Sequence, residues 1–360
     1  MPSHATACRR LAYRQAIPCA VMLAAALVAA ASAQEPAVRP VPAQPVIERS
    51  LPNVATGTLG GAQFWTDEFV YHDWRIQRHV TTGHYRLLDD RNFRRAWGTF
   101  PQCRQRFEEL KRENSLSSLK GRTVLTLHGI IRSRLVMEGL GDYLEEHADY
   151  TVLNVSYAST RETLDEHAAS LARVLDNLQE VDEINFVCHS LGNLVLRRYL
   201  GEASQPEPRW KVDPRIKRIV MLAPPNQGAK LAETFKNNKL VGLIWGPCCK
   251  QLANEWATLE KQLAIPTQEF GIIAGGQGDD EGANPLVEGD DDLVLSIDET
   301  RLPGARDFSV VQRLHGELMK DEEVRKQVQT FLEHGYFVSA AARQPIPLGE
   351  IVDRGEALGK

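Results

Sequence analysis

The sequence predicts an α/β protein built on a mostly parallel sheet with helices on both faces. Three observations carry that expectation. Short apolar runs rich in β-branched residues recur after Lys120, at 123–127, 150–155, 183–187, 216–222 and 269–273, and each suits a strand covered on both sides. Between them lie helical patterns such as Leu164, Ala168, Leu171, Leu175 and Leu178, whose spacing of three and four makes one apolar face. Strands that alternate with helices imply right-handed crossovers between parallel neighbours. Such sheets place their sites at the carboxyl ends of the strands.

Composition sets the outer bounds. At 360 residues, 43% apolar and 25% charged, the chain is ordinary globular protein, long enough to bury a sizeable core. The net charge of -5 comes from 42 basic and 47 acidic side chains. No basic stripe emerges, so nucleic acid is not an expected partner.

Taken in order, residues 1–33 read as a secretory signal. Arg9, Arg10 and Arg14 precede an uncharged run that ends in Ala31-Ser32-Ala33, a small-residue cleavage site. A secreted or periplasmic location follows, with a retained membrane anchor as the alternative. Export permits disulfides, and Cys103 with Cys248 or Cys249 is the expected pairing, whereas Cys188 ends a core strand and reads as a small hydrophobe. No Cys/His spacing resembles a zinc site. Residues 34–60 form a Pro-rich linker. Residues 61–119, crowded with aromatics and arginines, read as an extension packed on the main domain, a sugar-binding patch being the alternative. The main domain is expected over 120–335 and a tail over 336–360.

The chemistry gathers around residues 188–192, Cys-His-Ser-Leu-Gly. Here the strand over 184–187 reverses into a helix over 191–200, with Ser190 in the turn. A reversal this tight brings the two backbones together, so the positions flanking the turn residue must be small. The turn lifts the serine hydroxyl above the sheet. A helix N-terminus behind it directs N–H groups at developing negative charge. The first position of the usual G-x-S-x-G pattern is Cys188 here, and a helix cap is the competing reading.

A serine hydroxyl needs a base, and the base needs an acid to fix its tautomer. The order Ser, acid, His leaves two histidines. His334 ends a charged helix, whereas His315 closes a last short strand or the loop leaving it, so His315 is the expected base. The acid must follow the run at 269–273, where Asp290, Asp291 and Asp292 stand side by side. Spacing alone does not rank them. A solvated acidic loop and, with Asp279, Asp280 and Glu281, a calcium site are the competing readings.

The segments Leu127 to Ile130, His189 to Asn193, Gly289 to Thr300, and Leu302 to Arg306 through His315 together resemble the small bacterial lipases and esterases of the α/β-hydrolase family. The resemblance spans about residues 120–333. It implies an α/β-hydrolase fold with a small cap insert, a Gly-x-Asn-Asp-Gly-x-Val pattern that falls on Asp292 as the acid, and His315 as the base. Asp291 becomes the nearest alternative. Cys188 and Leu293 stand where relatives carry Gly. The oxyanion donors are then the Leu191 amide, directly after the nucleophile, and the Ile130 amide in the His128-Gly129-Ile130 loop.

The insert over about 227–266 carries Leu231, Phe235, Leu240, Val241, Leu243, Ile244, Trp245, Leu252 and Trp256. These read either as a cap lining an acyl pocket or as helices that cover the sheet. Gly275-Gly276-Gln277-Gly278 lacks the tail of a phosphate loop. The expected activity is hydrolysis of carboxylic esters by Ser190, His315 and Asp292, with no metal or organic cofactor. A small-molecule or lipid ester is the expected partner, with peripheral lipid-surface contact allowed. The alternatives are an amidase, thioesterase or acyltransferase on the same triad, and a non-catalytic binding protein.

Overall fold

Both faces of every central strand are covered in the structure, a computed structural model that describes residues 56–57, 62–231, 239–279 and 282–349. Six strands, β6 (Arg122–Leu127), β7 (Thr151–Val155), β8 (Glu183–His189), β9 (Ile216–Leu222), β10 (Glu269–Gly275) and β11 (Asp307–Val311), form one sheet in the order β11-β10-β9-β8-β6-β7. Every pairing in it is parallel. The alternation of side chains explains why the runs look continuously apolar. Val124, Val187, Val220 and Ile273 point to one cluster with Met137, Leu144, Val328 and Phe331, while Leu125, Phe186, Ile219 and Ile272 point to the other with Leu171, Leu175, Leu194 and Leu196.

The helices that close these two layers are α2 (Leu135–His147), α3 (Leu164–Asp176), α4 (Leu191–Gly201) and α8 (Glu322–His334). Helix α3 starts where its sequence directs, since Thr163 and Glu166 form a reciprocal capping box, an arrangement typically worth about 1 kcal/mol. Helix α8 ends on Gly335 at φ 73, a left-handed cap that glycine adopts without strain. The α/β architecture expected from the sequence, a parallel sheet with helices on both faces, is the one observed.

The chain preceding β6 is more than an extension. Strands β1 (Thr56–Gly57), β2 (Trp65–Tyr71), β3 (Trp74–His79), β4 (Tyr85–Leu88) and β5 (Phe93–Gly98) form a separate antiparallel sheet in the order β1-β5-β4-β3-β2. Helix α1 (Phe100–Glu113) covers it through Phe107, whose ring centroid lies 4.8 Å from that of Phe69 and 5.2 Å from that of Tyr71. Most of the aromatics thus anchor packing. Strand β2 joins the end of β7 through Asp67, whose amide donates to the Ser156 carbonyl at 2.9 Å and whose carboxylate accepts the Ser156 amide at 2.6 Å.

The signal segment, Asp280 and Glu281, Phe235, most of the linker and part of the tail lie outside the described residues. So do the side chains of Leu240, Val241, Leu243, Ile244 and Trp245 in α5 (Lys239–Asn254), a helix broken at Gly246. The described part of the insert supports the covering role: Cys248, Leu252, Leu259 in α6 (Trp256–Leu259) and Leu263 join the main core. The expected disulfide is not formed, because Cys103, Cys188, Cys248 and Cys249 are all buried free thiols. Cys103 packs beneath the N-terminal sheet, where burial pushes its thiol up to about 12.

Candidate active site

The strand order reverses beside β6, which has β7 on one side and β8 on the other. Crevices at such switch points open at the carboxyl ends of the strands. Ser190 sits there, one residue past β8, at φ 52 and ψ −120. A non-glycine residue pays in strain for such a backbone, and persists only where its surroundings over-determine it. Here they do. The Ser190 amide donates to the Leu222 carbonyl at 2.9 Å, and the Asn193 side chain donates to the Ser190 and Leu222 carbonyls at 3.0 and 3.3 Å. Gly192 permits the reversal, since a Cβ there would lie 2.6 Å from the Leu127 carbonyl oxygen.

The side chain of Ser190 makes no capping bond to α4. At 9% exposure it is nearly enclosed. Across from it lies the loop after β6. A Cβ on Gly129 would stand 3.1 Å from the Ser190 Cβ and 3.0 Å from His189 Nδ1, so a side chain there would push against both residues. Among the described residues, neither the Ile130 amide nor the Leu191 amide donates to a protein acceptor. Both expected oxyanion donors are therefore available.

The expected acid and base come from the other half of the sheet. Strand β10 ends at Gly275, where an added Cβ would lie 2.8 Å from the Asp292 Cβ; β11 leads four residues on to His315. His315 Nδ1 donates to Asp292 Oδ2 at 2.7 Å. The other oxygen of Asp292 accepts the Val294 and Leu295 amides at 3.0 and 2.9 Å, and its carbonyl accepts the His315 amide at 2.9 Å. Asp292 is fully buried and the His315 side chain is 13% exposed. With Nδ1 carrying the proton, Nε2 is left as the basic nitrogen.

The neighbouring aspartates do other work. Asp290 accepts the Gln277 and Gly278 amides at 2.6 and 2.9 Å. Asp291 accepts the Asn284 amide on both oxygens and the Leu293 amide at 2.6 Å, and burial raises its carboxyl above the usual range. Leu293, where the resemblance expects Gly, takes φ 91. Among the described residues no cluster of His, Cys, Asp and Glu is arranged to hold a metal.

One functional group escaped the sequence reading. His189 is buried, its Nε2 donates to the His315 carbonyl at 2.9 Å, and its ring centroid lies 4.8 Å from that of His315. Burial first, and then the charge that His315 would carry, hold its pKa well below the ordinary histidine value. A neutral His189 holds the His315 backbone without placing a second positive charge beside its ring. Its sequence signal was adjacency to Ser190 alone.

Residues 93–259 match a family described as a domain of unknown function, DUF7379. No curated protein matches the chain. Among solved structures, the mature Bacillus licheniformis lipase BlEst2 is 15% identical, covers 59% of this chain and 91% of its own, and superposes with a TM-score of 0.44. Est1E from Butyrivibrio proteoclasticus, bound to ferulic acid, is 14% identical, with 61% and 91% covered and a TM-score of 0.39. Phospholipase PlaB from Legionella pneumophila is 17% identical, with 50% and 45% covered and a TM-score of 0.38. Fold and chemistry rest instead on this chain's own strands and side chains.

Proposed function

We propose that the protein hydrolyses carboxylic esters through an acyl-enzyme on Ser190. The observation that carries the reading is the 2.7 Å contact between His315 Nδ1 and Asp292 Oδ2 at the strand ends that also hold the strained Ser190. The Ser190 hydroxyl oxygen attacks the ester carbonyl carbon while His315 Nε2 accepts its proton. Asp292 keeps the imidazole in the required tautomer and stabilises its cation. The Ile130 and Leu191 amides receive the negative oxygen of the tetrahedral intermediate, a service worth about 3–4 kcal/mol per donor. As the intermediate collapses, the imidazolium returns its proton to the departing alkoxide. Water then repeats the sequence on the acyl-enzyme and releases the acid, restoring Ser190.

Among the described residues no hydrogen bond joins the Ser190 hydroxyl to His315. Such bonds are commonly long without substrate and tighten when the complex forms. The test is Ser190→Ala. Turnover of short p-nitrophenyl esters is expected to vanish with the melting temperature nearly unchanged, while the wild type, and not the variant, is labelled by a fluorophosphonate. Turnover retained by the variant removes Ser190 from the reaction. Thioester and amide analogues in the same panel distinguish an esterase from enzymes that use the same three groups on other acyl donors.

A further inference from the structure

The turn that carries the Ile130 amide is held from outside the parallel sheet. Its ends are joined by the Arg132 amide donating to the Gly129 carbonyl at 3.3 Å. Ile131 inside it takes φ 60, a left-handed value that β-branched residues rarely adopt. Such a backbone needs external support to persist. Two side chains supply it. The Ile131 amide donates to Ser159 Oγ at 3.1 Å, and the Arg132 carbonyl accepts from Gln63 Nε2 at 2.9 Å. The oxygen of the same Gln63 amide accepts from Ser159 Oγ at 3.2 Å, from the Thr160 amide at 3.1 Å and from Thr160 Oγ1 at 2.9 Å.

Gln63 lies in the short 3-10 turn Ala62–Phe64 that leads into β2, so the bonds run from the entry to the N-terminal sheet across the loop after β7 to the turn after β6. We infer that Gln63 is a positioning residue for ester hydrolysis: with Ser159 it fixes the turn so that the Ile130 amide stays aimed at the oxyanion. The N-terminal sheet is then a working part of the active site. A flexible turn could reach the same geometry only transiently, and rate depends on donors placed before charge develops. The inference rests on the proposed Ser190 chemistry.

The test separates the two. A fluorophosphonate titration counts reactive serines, and kcat for a p-nitrophenyl ester is then expressed per titrated serine. Gln63→Ala is expected to lower that kcat by about tenfold, less than the loss of a whole donor, with KM changed little. Ser159→Ala removes the acceptor for the Ile131 amide together with the hydroxyl that donates to Gln63, and is expected to lower the same parameter, with the two changes less than additive in the double variant. A merely structural role would reduce the melting temperature or the number of titratable serines and leave kcat per serine intact. That result in Gln63→Ala overturns the inference, and if this variant does not fold, Ser159→Ala reads the same parameter in its place. A wild type that does not react with the probe overturns the Ser190 reading instead.

Discussion

Three consecutive aspartates meet three different fates because each turn of the chain sends its carboxylate elsewhere. Asp290 ties down the 277–278 loop, Asp291 ties down 284 and 293, and Asp292 alone reaches His315. Asp292→Asn is therefore expected to lower kcat by about four orders of magnitude through the wrong imidazole tautomer, with a small change in KM. Asp290→Asn, which touches only backbone amides, should leave kcat per folded molecule close to wild type; steady-state kinetics on both variants checks the contrast. The sequence narrowed the acid to these three by chain order and went no further. What decides among them is local backbone direction, which spacing does not record; the resemblance supplied Asp292. His189 stayed hidden for another reason. Its partner is the backbone carbonyl of His315, and a carbonyl has no residue type to recognise.

At the level of elements, the parallel strands were readable because both of their faces are apolar, and the nucleophile turn because packing limits what can flank it. Gly192→Ala tests that packing. The added methyl would meet the Leu127 carbonyl oxygen at 2.6 Å, a backbone atom that cannot rotate aside, so α4 must move away from β6. We expect a loss of about 2 kcal/mol in chemical denaturation, together with a fall in kcat as Ser190 leaves the Ile130 amide. The N-terminal strands were missed because their buried positions are partly charged. Arg75, Gln77 and Arg86 are buried in β3 and β4, with Gln77 bonded to Asp67 and Arg86. Paired charges satisfy a buried strand yet erase the apolar alternation by which strands are read. Burial raises the Asp67 carboxyl above its ordinary range, against the opposing pull of Arg75, the Ser156 amide and Gln77.

For the molecule as a whole, three buried histidines set the acid limit. Burial lowers His128 to about 4, lowers His167 to about 3 even with Glu162 at 3.8 Å, and holds His189 well below the ordinary value. An unfolded histidine titrates near ~6.5. Below that pH the unfolded chain binds protons that the native chain refuses, so stability is complete above it and falls as pH drops toward about 4 for His128 and about 3 for His167. Asp67 acts in the opposite sense: its raised carboxyl keeps a proton that the unfolded aspartate releases, which adds stability as pH falls toward roughly 4. The histidine contribution to the melting temperature should therefore begin to fall at about pH 6.5 and be lost most steeply between about pH 5.5 and 4, and His167→Gln should remove one proton from that dependence. Unfolding curves across pH measure both. The order of the chain adds a consequence in time. Gln63 and Ser190 leave the ribosome long before residue 315, which follows β11, the last strand of the sheet. On the proposed mechanism, the growing polypeptide carries only an ordinary alcohol until that segment docks, and a product truncated ahead of it is expected to be inert toward esters.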